Sequence, residues 1–454
     1  MTLPAGPYRV LQTVEGQALP YYVLPFDADG VCSGPQTLQH LLEAAHSYSD
    51  IFLFSHGWNN DWAAATQRYE EFIQGVQSLR REHHLPAPAG YRPLLVGIFW
   101  PSQALAWFES ELGPGLAAGG DAAAQAAQAD LLQGVLHDVA AALPKASRTR
   151  FFELATASAL QPPQAQELAA LLAALLADST QADSEEGRAA PTAQDLLSAA
   201  SSLAAPEPDY DAVGTADAAP AMPGAGPAAA FGFGDLLGAL DPRNLLKPFT
   251  VWQMKDRAGV VGHDGVAPVL LGLLQRSTAR VHLLGHSYGC KVVMTALCTP
   301  PALPRPVESA LLLQPAVSQY AFAAEVPEVG AAGGFARARQ RVRQPIVATY
   351  SANDVPLTKL FHVSVRRSDD LGELQFAGEG SSPSRYAAMG GYGPQSSQAR
   401  FVSIQDPGGA YTLGASGQLL AVNGTRCISG HGDINGPATW WLSYLLATAH
   451  QHTT

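Results

Sequence analysis

The stretch Val281-His-Leu-Leu-Gly-His-Ser-Tyr-Gly-Cys-Lys-Val-Val-Met-Thr-Ala-Leu297 decides the fold that we expect of this chain. Its first four residues have the apolar character of a buried strand, and its last ten have the pattern of an amphipathic helix. Between them, Gly285 and Gly289 lie two positions before and two positions after Ser287. A serine on so tight a strand-to-helix turn crowds the backbone, so both flanking positions must lack side chains. The pattern therefore predicts a turn that exposes the Ser287 hydroxyl beside a helix N-terminus, where N–H groups are unpaired.

Short apolar runs with the length of buried strands recur along the rest of the chain, and helical stretches lie between them. The runs are Tyr21–Leu24, Ile51–Phe54, Leu94–Phe99, Val281–Leu284, Ala310–Leu313 and Ile346–Tyr350. Helices are predicted over about 62–83, 264–276, 288–298 and 437–449. Strands that are apolar on both faces and alternate with helices indicate a mainly parallel sheet covered by helices on both faces. The predicted fold class is therefore α/β.

An unusual composition marks a segment in the middle of the chain. Residues 121–230 contain 36 alanines and have 14 acidic against four basic residues, so they carry most of the formal charge of −12. Runs of alanine and leucine favour helix, whereas the Pro-, Gly- and Ala-rich residues 205–230 do not. We therefore divide the chain into an N-terminal core part (1–101), an Ala-rich acidic insertion of several helices and a poorly ordered linker (102–248), and a C-terminal core part (249–454).

This insertion enters the sequence after a strand end, at the carboxyl edge of the predicted sheet, where open α/β sheets bind ligands. It is therefore placed to cover Ser287. Two interpretations stay open, a lid that closes over the site and a passive Ala-rich excursion.

The composition also excludes several classes of function. With 27 Lys and Arg against 39 Asp and Glu, the chain lacks a basic face for phosphates, so a nucleic-acid partner is not expected. Four scattered cysteines without a CxxC spacing predict reduced thiols and no zinc site. The N-terminus lacks a basic region followed by an apolar run, and no apolar run reaches about 18 residues. We therefore expect no secretory signal, no integral membrane segment and a cytoplasmic location, with signal-independent export left open.

Four motifs together resemble the α/β-hydrolase superfamily, and in particular its uncharacterised bacterial serine-hydrolase branches of the esterase and lipase type. They are Ser55-His-Gly-Trp-Asn-Asn60, Phe99-Trp-Pro-Ser102, Gln253-Met-Lys-Asp-Arg-Ala258 and Gly285-His-Ser-Tyr-Gly289. The resemblance covers the core on both sides of 102–248 and leaves the insertion unmatched. It implies an α/β-hydrolase fold in which Ser287 is the nucleophile, followed along the chain by an acid and a histidine. The charges of 253–258 either pair with neighbours or line the pocket entrance.

The general base is sought among the histidines that follow Ser287. His431 lies in a glycine-rich loop directly before the final predicted helix, where the superfamily's catalytic histidine lies, and it is our candidate. His362 is a weaker rival that follows an apolar-looking segment. His450 and His452 belong to the C-terminal tail.

For the acid that orients the base, Asp354 follows the strand-like run Ile346–Tyr350 in a polar loop, and it is our candidate. Asp406 also follows a strand-like run and is the alternative. Asp433 lies too near His431 in sequence and is expected to fix the loop by accepting backbone N–H bonds.

Attack by a serine nucleophile on an acyl group gives a tetrahedral intermediate whose oxyanion needs N–H donors. The resemblance assigns one to the backbone of Tyr288, directly after the nucleophile, and the other to the backbone of Trp58 in the loop after Ile51–Phe54. Gly57 gives the bend that close approach requires. His56 and His286 are expected to be structural.

These residues predict a serine hydrolase that cleaves carboxylic esters, of a small-molecule or lipid-like kind, through a Ser287–His431–Asp354 triad and an acyl-enzyme. No metal or organic cofactor is expected. The alternatives are a peptidase or amidase, an acyltransferase with the same triad, and a non-catalytic hydrolase-like binding module or secreted toxin.

Overall fold

The computed structural model describes residues 3–87, 90–103, 121–204, 240–368 and 384–449. Its strands are β1 (Arg9–Gln12), β2 (Ala18–Pro25), β3 (Asp50–Ser55), β4 (Pro93–Phe99), β5 (Arg280–His286), β6 (Ser309–Leu313), β7 (Ile346–Tyr350), β8 (Arg400–Ser403) and β9 (Leu419–Asn423). They form one sheet in the order β1-β2-β4-β3-β5-β6-β7-β9-β8. Only the β1–β2 pair is antiparallel within the described sheet. The predicted α/β class and mainly parallel sheet are confirmed, and each of the six predicted strands is present.

Helices lie between these strands, and two short π-helical turns occur at Val261–Val266 and Pro356–Leu360. The helices are α1 (Pro35–Ala44), α2 (Trp62–Glu82), α3 (Asp121–Ala142), α4 (Lys145–Ala155), α5 (Pro162–Ala174), α6 (Ala193–Ala204), α7 (Arg243–Val260), α8 (Ala267–Arg276), α9 (Gly289–Cys298), α10 (Phe361–Val365), α11 (Met389–Tyr392) and α12 (Pro437–Thr448). The four helices that the sequence predicted are α2, α8, α9 and α12, and each differs from its expected bounds by no more than three residues.

The sheet separates two hydrophobic clusters, one on each face. Successive residues of β3 alternate between them, so Leu53 packs with α7, α8 and α9, whereas Phe54 packs with α2 and α12. This alternation explains why the central strands are apolar at every position. A parallel strand with helices on both sides has no face left for water.

The described part of the Ala-rich segment packs into the same core. Leu168 of α5 and Leu196 of α6 are fully buried in the cluster that contains the α9 side of the sheet. An isolated antiparallel bridge joins Leu160, between α4 and α5, to Leu240, close to the C-terminal end of the insertion. The linker predicted at 205–230 lies outside the described residues. The segment is therefore mainly helical where it is described, with a loop at 175–192 between α5 and α6, and its role as a lid remains a prediction.

One described helical run, Arg243–Arg276, is long and apolar enough by composition to cross a membrane. Of its most apolar window, 61% is buried inside the protein. Such burial is typical of a core helix, so for the described residues this run is consistent with the expected absence of an integral membrane segment.

Candidate active site

The strand-to-helix turn between β5 and α9 holds Ser287 with a φ of 55°, in the left-handed region. The Ser287 N–H donates to the Leu313 carbonyl at 3.0 Å, which pins the turn to the neighbouring strand β6. A Cβ at Gly285 would lie 2.6 Å from the Cys290 Cα, and one at Gly289 would lie 2.1 Å from the Ser55 carbonyl oxygen. The two glycines are therefore required sterically, as the sequence predicted.

Ser287, His431 and Asp354 lie in one hydrogen-bonded chain at the carboxyl edge of the sheet. The Ser287 Oγ lies 2.8 Å from His431 Nε2, and His431 Nδ1 lies 2.8 Å from Asp354 Oδ2. Because an ionised carboxylate only accepts, Nδ1 carries the proton, and Nε2 is left to accept from the serine hydroxyl. The structure thus brings together the three side chains that the sequence selected from distant segments.

Asp354 is fully buried and held by further donors. The Leu357 N–H donates to its Oδ1 at 3.1 Å, and Gln314 Nε2 lies 3.5 Å from its Oδ2. The alternative acid, Asp406, has a side chain 71% exposed and pairs with Arg426 at 3.0 Å. Asp354 is therefore the carboxylate that contacts the imidazole.

Asp433 has the structural role expected of it. Its Oδ2 accepts from the Ser429 N–H at 2.9 Å and from the Ser429 hydroxyl at 2.8 Å, which closes the glycine-rich loop around His431. Of the rival histidines, His362 lies on α10, where burial lowers its pKa to about 4. His450 and His452 lie outside the described residues.

Two side chains hold the His431 backbone in place. His286 Nε2 donates to the His431 carbonyl at 2.8 Å, and Gln314 Nε2 donates to the same oxygen at 3.0 Å and to the Gly430 carbonyl at 2.8 Å. Burial lowers the pKa of His286 well below its ordinary value, so this ring is neutral and its Nε2 carries the proton. The structural role expected for His286 is thus a contact with the candidate base.

Gln314 was not predicted from the sequence. The signal was present, because Gln314 directly follows the apolar run Ala310–Leu313 and so lies at the same sheet edge as Ser287. Its φ of 43° is in the left-handed region, and its own N–H donates to the Thr349 hydroxyl at 3.0 Å. The backbone thus directs the amide toward both Asp354 and the His431 loop.

Two N–H groups beside Ser287 fit the predicted oxyanion donors. Within the described part of the chain, the N–H groups of Tyr288 and Trp58 donate to no protein acceptor. The Trp58 and Tyr288 rings meet edge to face with centroids 6.2 Å apart. A Cβ at Gly57 would lie 2.6 Å from the Ser287 Cβ, so this loop passes directly over the serine. The absence of a side chain at Gly57 permits that approach.

A buried histidine holds this loop. His56 Nδ1 donates to the Gly57 carbonyl at 2.7 Å, and its Nε2 accepts from the Trp100 N–H at 3.2 Å. Burial lowers the pKa of His56 to about 3, which agrees with a neutral ring that donates on one side and accepts on the other. The Asn59 N–H donates to the Ser102 carbonyl at 2.7 Å. The Ser55–Asn60 and Phe99–Ser102 motifs therefore form one hydrogen-bonded unit.

The charges of the 253–258 motif pair with neighbours. Lys255 Nζ lies 3.3 Å from Asp183 Oδ1 and 3.4 Å from Glu185 Oε1, and Arg257 lies 3.6 Å from Asp138. Of the two interpretations that the sequence left open, pairing is the one that the structure supports for these two side chains.

Among the described residues, cavities of different size lie at the carboxyl edge of the sheet. The one that contains Ser287 and His431 has a volume of about 20 Å³. A larger one of about 610 Å³ lies at the ends of β2 and β4, and Pro25, Trp62 and Phe99 are among its lining residues. Because the larger cavity contains none of the three hydrogen-bonded residues, we assign the chemistry to the smaller one.

No cluster of three or more His, Cys, Asp or Glu suited to a metal ion occurs among the described residues. Comparison with protein-family profiles, with curated proteins and with solved structures finds no match to this chain. We therefore interpret the site from its own geometry.

Proposed function

We propose that this protein is a serine hydrolase of the α/β-hydrolase type that cleaves carboxylic esters. The observation that carries the proposal is the chain of two hydrogen bonds, each 2.8 Å, from Ser287 Oγ to His431 Nε2 and from His431 Nδ1 to Asp354 Oδ2. A serine hydroxyl is a weak nucleophile at neutral pH, and this contact supplies the base that activates it.

In the first half of the proposed reaction, Ser287 Oγ attacks the acyl carbon while its proton passes to His431 Nε2. The carbonyl oxygen becomes an oxyanion, and the Tyr288 and Trp58 N–H groups stabilise it. Asp354 orients the ring and stabilises the imidazolium without taking its proton. The imidazolium then returns its proton to the leaving alkoxide, the ester C–O bond breaks, and the alcohol departs.

In the second half, water adds to the acyl carbon of the acyl-enzyme and gives a proton to His431 Nε2. The same two N–H groups hold the second oxyanion. Collapse of this intermediate breaks the bond to Ser287 Oγ, which recovers its proton from the imidazolium. The carboxylic acid is released, and the triad returns to its starting protonation state.

The α/β-hydrolase part of the proposal is supported by the position of the turn. Ser287 follows a central parallel strand, β5, and precedes α9, which is the strand–turn–helix context that gives a G-x-S-x-G sequence its meaning. The order Ser287, Asp354, His431 along the chain is the order expected of that superfamily. The loop that follows β3 also supplies the second N–H donor, as the resemblance implies.

A fluorophosphonate probe tests the proposal. We expect it to modify Ser287, located by peptide mass spectrometry, and to leave the Ser287→Ala variant unlabelled. Hydrolysis of p-nitrophenyl acetate should fall by about 10³-fold or more in that variant, because removal of a nucleophile leaves only the contribution of binding and the oxyanion donors. The exposed Ser403→Ala variant serves as the control and should keep the wild-type rate.

Retained turnover in Ser287→Ala would refute the assignment of the nucleophile. A matched p-nitroanilide distinguishes esterase from amidase chemistry, since the same constellation acts on both bonds. Faster cleavage of the anilide than of the ester would contradict the ester assignment and leave the serine mechanism in place.

A further inference from the structure

The space beside Ser287 is small and apolar. Its lining comes chiefly from Trp58, Val251, Tyr288, Ala316, Leu357 and Phe361, together with the reacting serine and histidine. No Asp, Glu, Lys or Arg lines the pocket that these described residues form. Its volume of about 20 Å³ is close to what one water molecule needs. A methyl group is only slightly larger than water, so the free space matches the end of a very short acyl chain.

Leu357, an aliphatic residue that lines this pocket, is packed so tightly that it cannot easily move away from the pocket. Leu357 is 3% exposed, and its Cδ1 lies 2.5 Å from the position that a Cβ at Gly390 would occupy. The side chain is thus packed directly against the backbone at Gly390. The backbone of Leu357 is also held in place, because its N–H donates to the Asp354 carboxylate. Displacing this wall would disturb the candidate acid.

The aromatic wall is backed by a buried cation. Lys255 Nζ lies 5.4 Å from the centre of the Phe361 ring, and the ammonium is held by Asp183 and Glu185 at 3.3 and 3.4 Å. The Phe361 ring also contacts the Tyr288 ring, with centroids 6.5 Å apart. For Phe361 to move back, a paired charge in the protein interior would have to move with it. Asp183 and Glu185 of the Ala-rich acidic insertion (102–248) thus stabilise the Lys255 ammonium that packs against this lining residue.

On these grounds, and resting on the proposed function, we propose that the enzyme is selective for esters of short, uncharged acyl groups, with acetyl esters preferred. Longer acyl chains meet packed walls on both sides, and overfilling a packed site is unfavourable. A charged acyl group would enter a pocket without a counter-charge among its lining residues. The alcohol portion is left unrestricted by these contacts.

The test is a chain-length series of p-nitrophenyl esters: acetate, butyrate and octanoate. We expect kcat/KM to fall by about tenfold or more from acetate to butyrate, the scale on which a packed pocket discriminates added methylenes, and further for octanoate. Leu360→Ala shortens a half-buried pocket side chain and should raise the butyrate-to-acetate ratio by about tenfold. Val251→Ala shortens another lining side chain and should shift the ratio in the same direction.

Val355→Ala is the matched control. It truncates an aliphatic side chain in the same segment, but one that is 40% exposed and outside the pocket. The butyrate-to-acetate ratio should therefore be that of the wild type. If the wild-type enzyme cleaves octanoate as well as or better than acetate, or if both pocket variants leave the ratio unchanged, the inference is wrong.

The two proposals fail in different ways. Fluorophosphonate labelling of Ser287 together with a preference for long acyl chains would overturn the short-acyl inference and leave the serine hydrolase intact. If the wild-type protein is folded by circular dichroism but shows neither labelling nor ester turnover, both the proposed function and the inference are wrong.

Discussion

Lys291 Nζ lies 2.7 Å from Glu185 Oε2, and both side chains are fully buried. Lys291 belongs to α9, the helix that follows Ser287, whereas Glu185 lies between α5 and α6 in the acidic segment. The Lys291 ammonium also donates to the Gln181 and Ala182 carbonyls. The acidic segment is therefore tied to the helix of the candidate nucleophile by charge as well as by apolar packing.

Loss of this ion pair should destabilise the whole protein. Glu185→Gln removes a charge that faces both Lys291 and Lys255, so two buried ammonium groups lose a partner. Removal of one member of a buried pair costs about 3–5 kcal/mol, and we expect the free energy of unfolding to fall by about that amount. Urea denaturation followed by circular dichroism measures it.

The surface pair Arg150–Glu167 provides the control for this experiment, because both of its side chains are more than 40% exposed. Glu167→Gln should leave the urea midpoint nearly unchanged. The double variant Glu185→Leu/Lys291→Met should recover part of the lost stability, since it removes the uncompensated Lys291 charge while Lys255 keeps its contact with Asp183. A Glu185→Gln midpoint equal to that of the wild type would contradict a structural role for the pair.

The assignment of the acid is tested by two matched amide substitutions. Asp354→Asn keeps the shape of the side chain but removes the acceptor charge that fixes the His431 tautomer, and we expect kcat to fall by about 10³- to 10⁴-fold. Asp406→Asn changes an exposed carboxylate and should leave kcat within about twofold of the wild type. Steady-state hydrolysis of p-nitrophenyl acetate measures both. The opposite order would reassign the acid to Asp406.

Gln314 is expected to act by positioning the triad. Gln314→Ala removes the donor shared by the His431 and Gly430 carbonyls, and kcat should fall by about 10²-fold, the cost of a misplaced catalytic group. Gln314 is not among the residues that line the pocket beside Ser287, so KM should stay within about threefold.

The isosteric variant Gln314→Glu separates positioning from packing. It keeps the volume of the side chain but replaces the donor with a carboxylate that faces Asp354 and two carbonyl oxygens, so kcat should fall at least as far as in Gln314→Ala. Thermal unfolding of each variant reports on the fold. Activity in Gln314→Glu close to that of the wild type would show that the amide only fills space.

The parts of the site that the sequence predicted share one property. Ser287, Asp354 and the Trp58 loop each follow an apolar run that forms a parallel strand, and parallel strands deliver their following residues to one edge of the sheet. His431 differs, because it was selected by its glycine-rich loop and its place before the last helix. Local pattern alone indicated the Ser287 turn, whereas His431, Asp354 and Trp58 were chosen with the chain order and loop positions that the resemblance to α/β-hydrolases implies.

What the sequence did not predict depends on contacts between distant segments. Gln314 bonds to Gly430, which is 116 residues away, and Lys291 pairs with Glu185, which is 106 residues away. The sequence around Lys291, in an apolar helix, and around Asp183, Glu185 and Glu186, in a polar loop, does not indicate that these side chains are buried together. The strand-like run before Asp406 does form a strand, β8, but the edge strand β1 was not predicted, because its residues are mostly exposed.

Asp50, a buried carboxylate at the N-terminal end of β3, should make the free energy of unfolding depend on pH. Asp50 is fully buried and accepts two hydrogen bonds from Arg280, at 2.8 and 2.7 Å, and one from His282 at 3.1 Å. Burial acts to raise the pKa of Asp50, but the bonds from His282, Arg280 and Ser49 outweigh it and hold the pKa at about 2, against an ordinary value of 3.8. The folded state therefore favours the ionised carboxylate.

Because the pKa is lower in the folded state, the stability that Asp50 contributes is fully present above about pH 4 and is lost as the pH falls toward 2. A difference of this size corresponds to about 2 kcal/mol at pH 7. Asp50→Asn should accordingly lower the free energy of unfolding by about 2 kcal/mol at pH 7. The gap from the wild type should narrow in urea titrations at pH 4, 3 and 2.5. A gap that stays constant over this range would mean that Asp50 stabilises the β3–β5 contact through shape and neutral hydrogen bonds, and not through its charge.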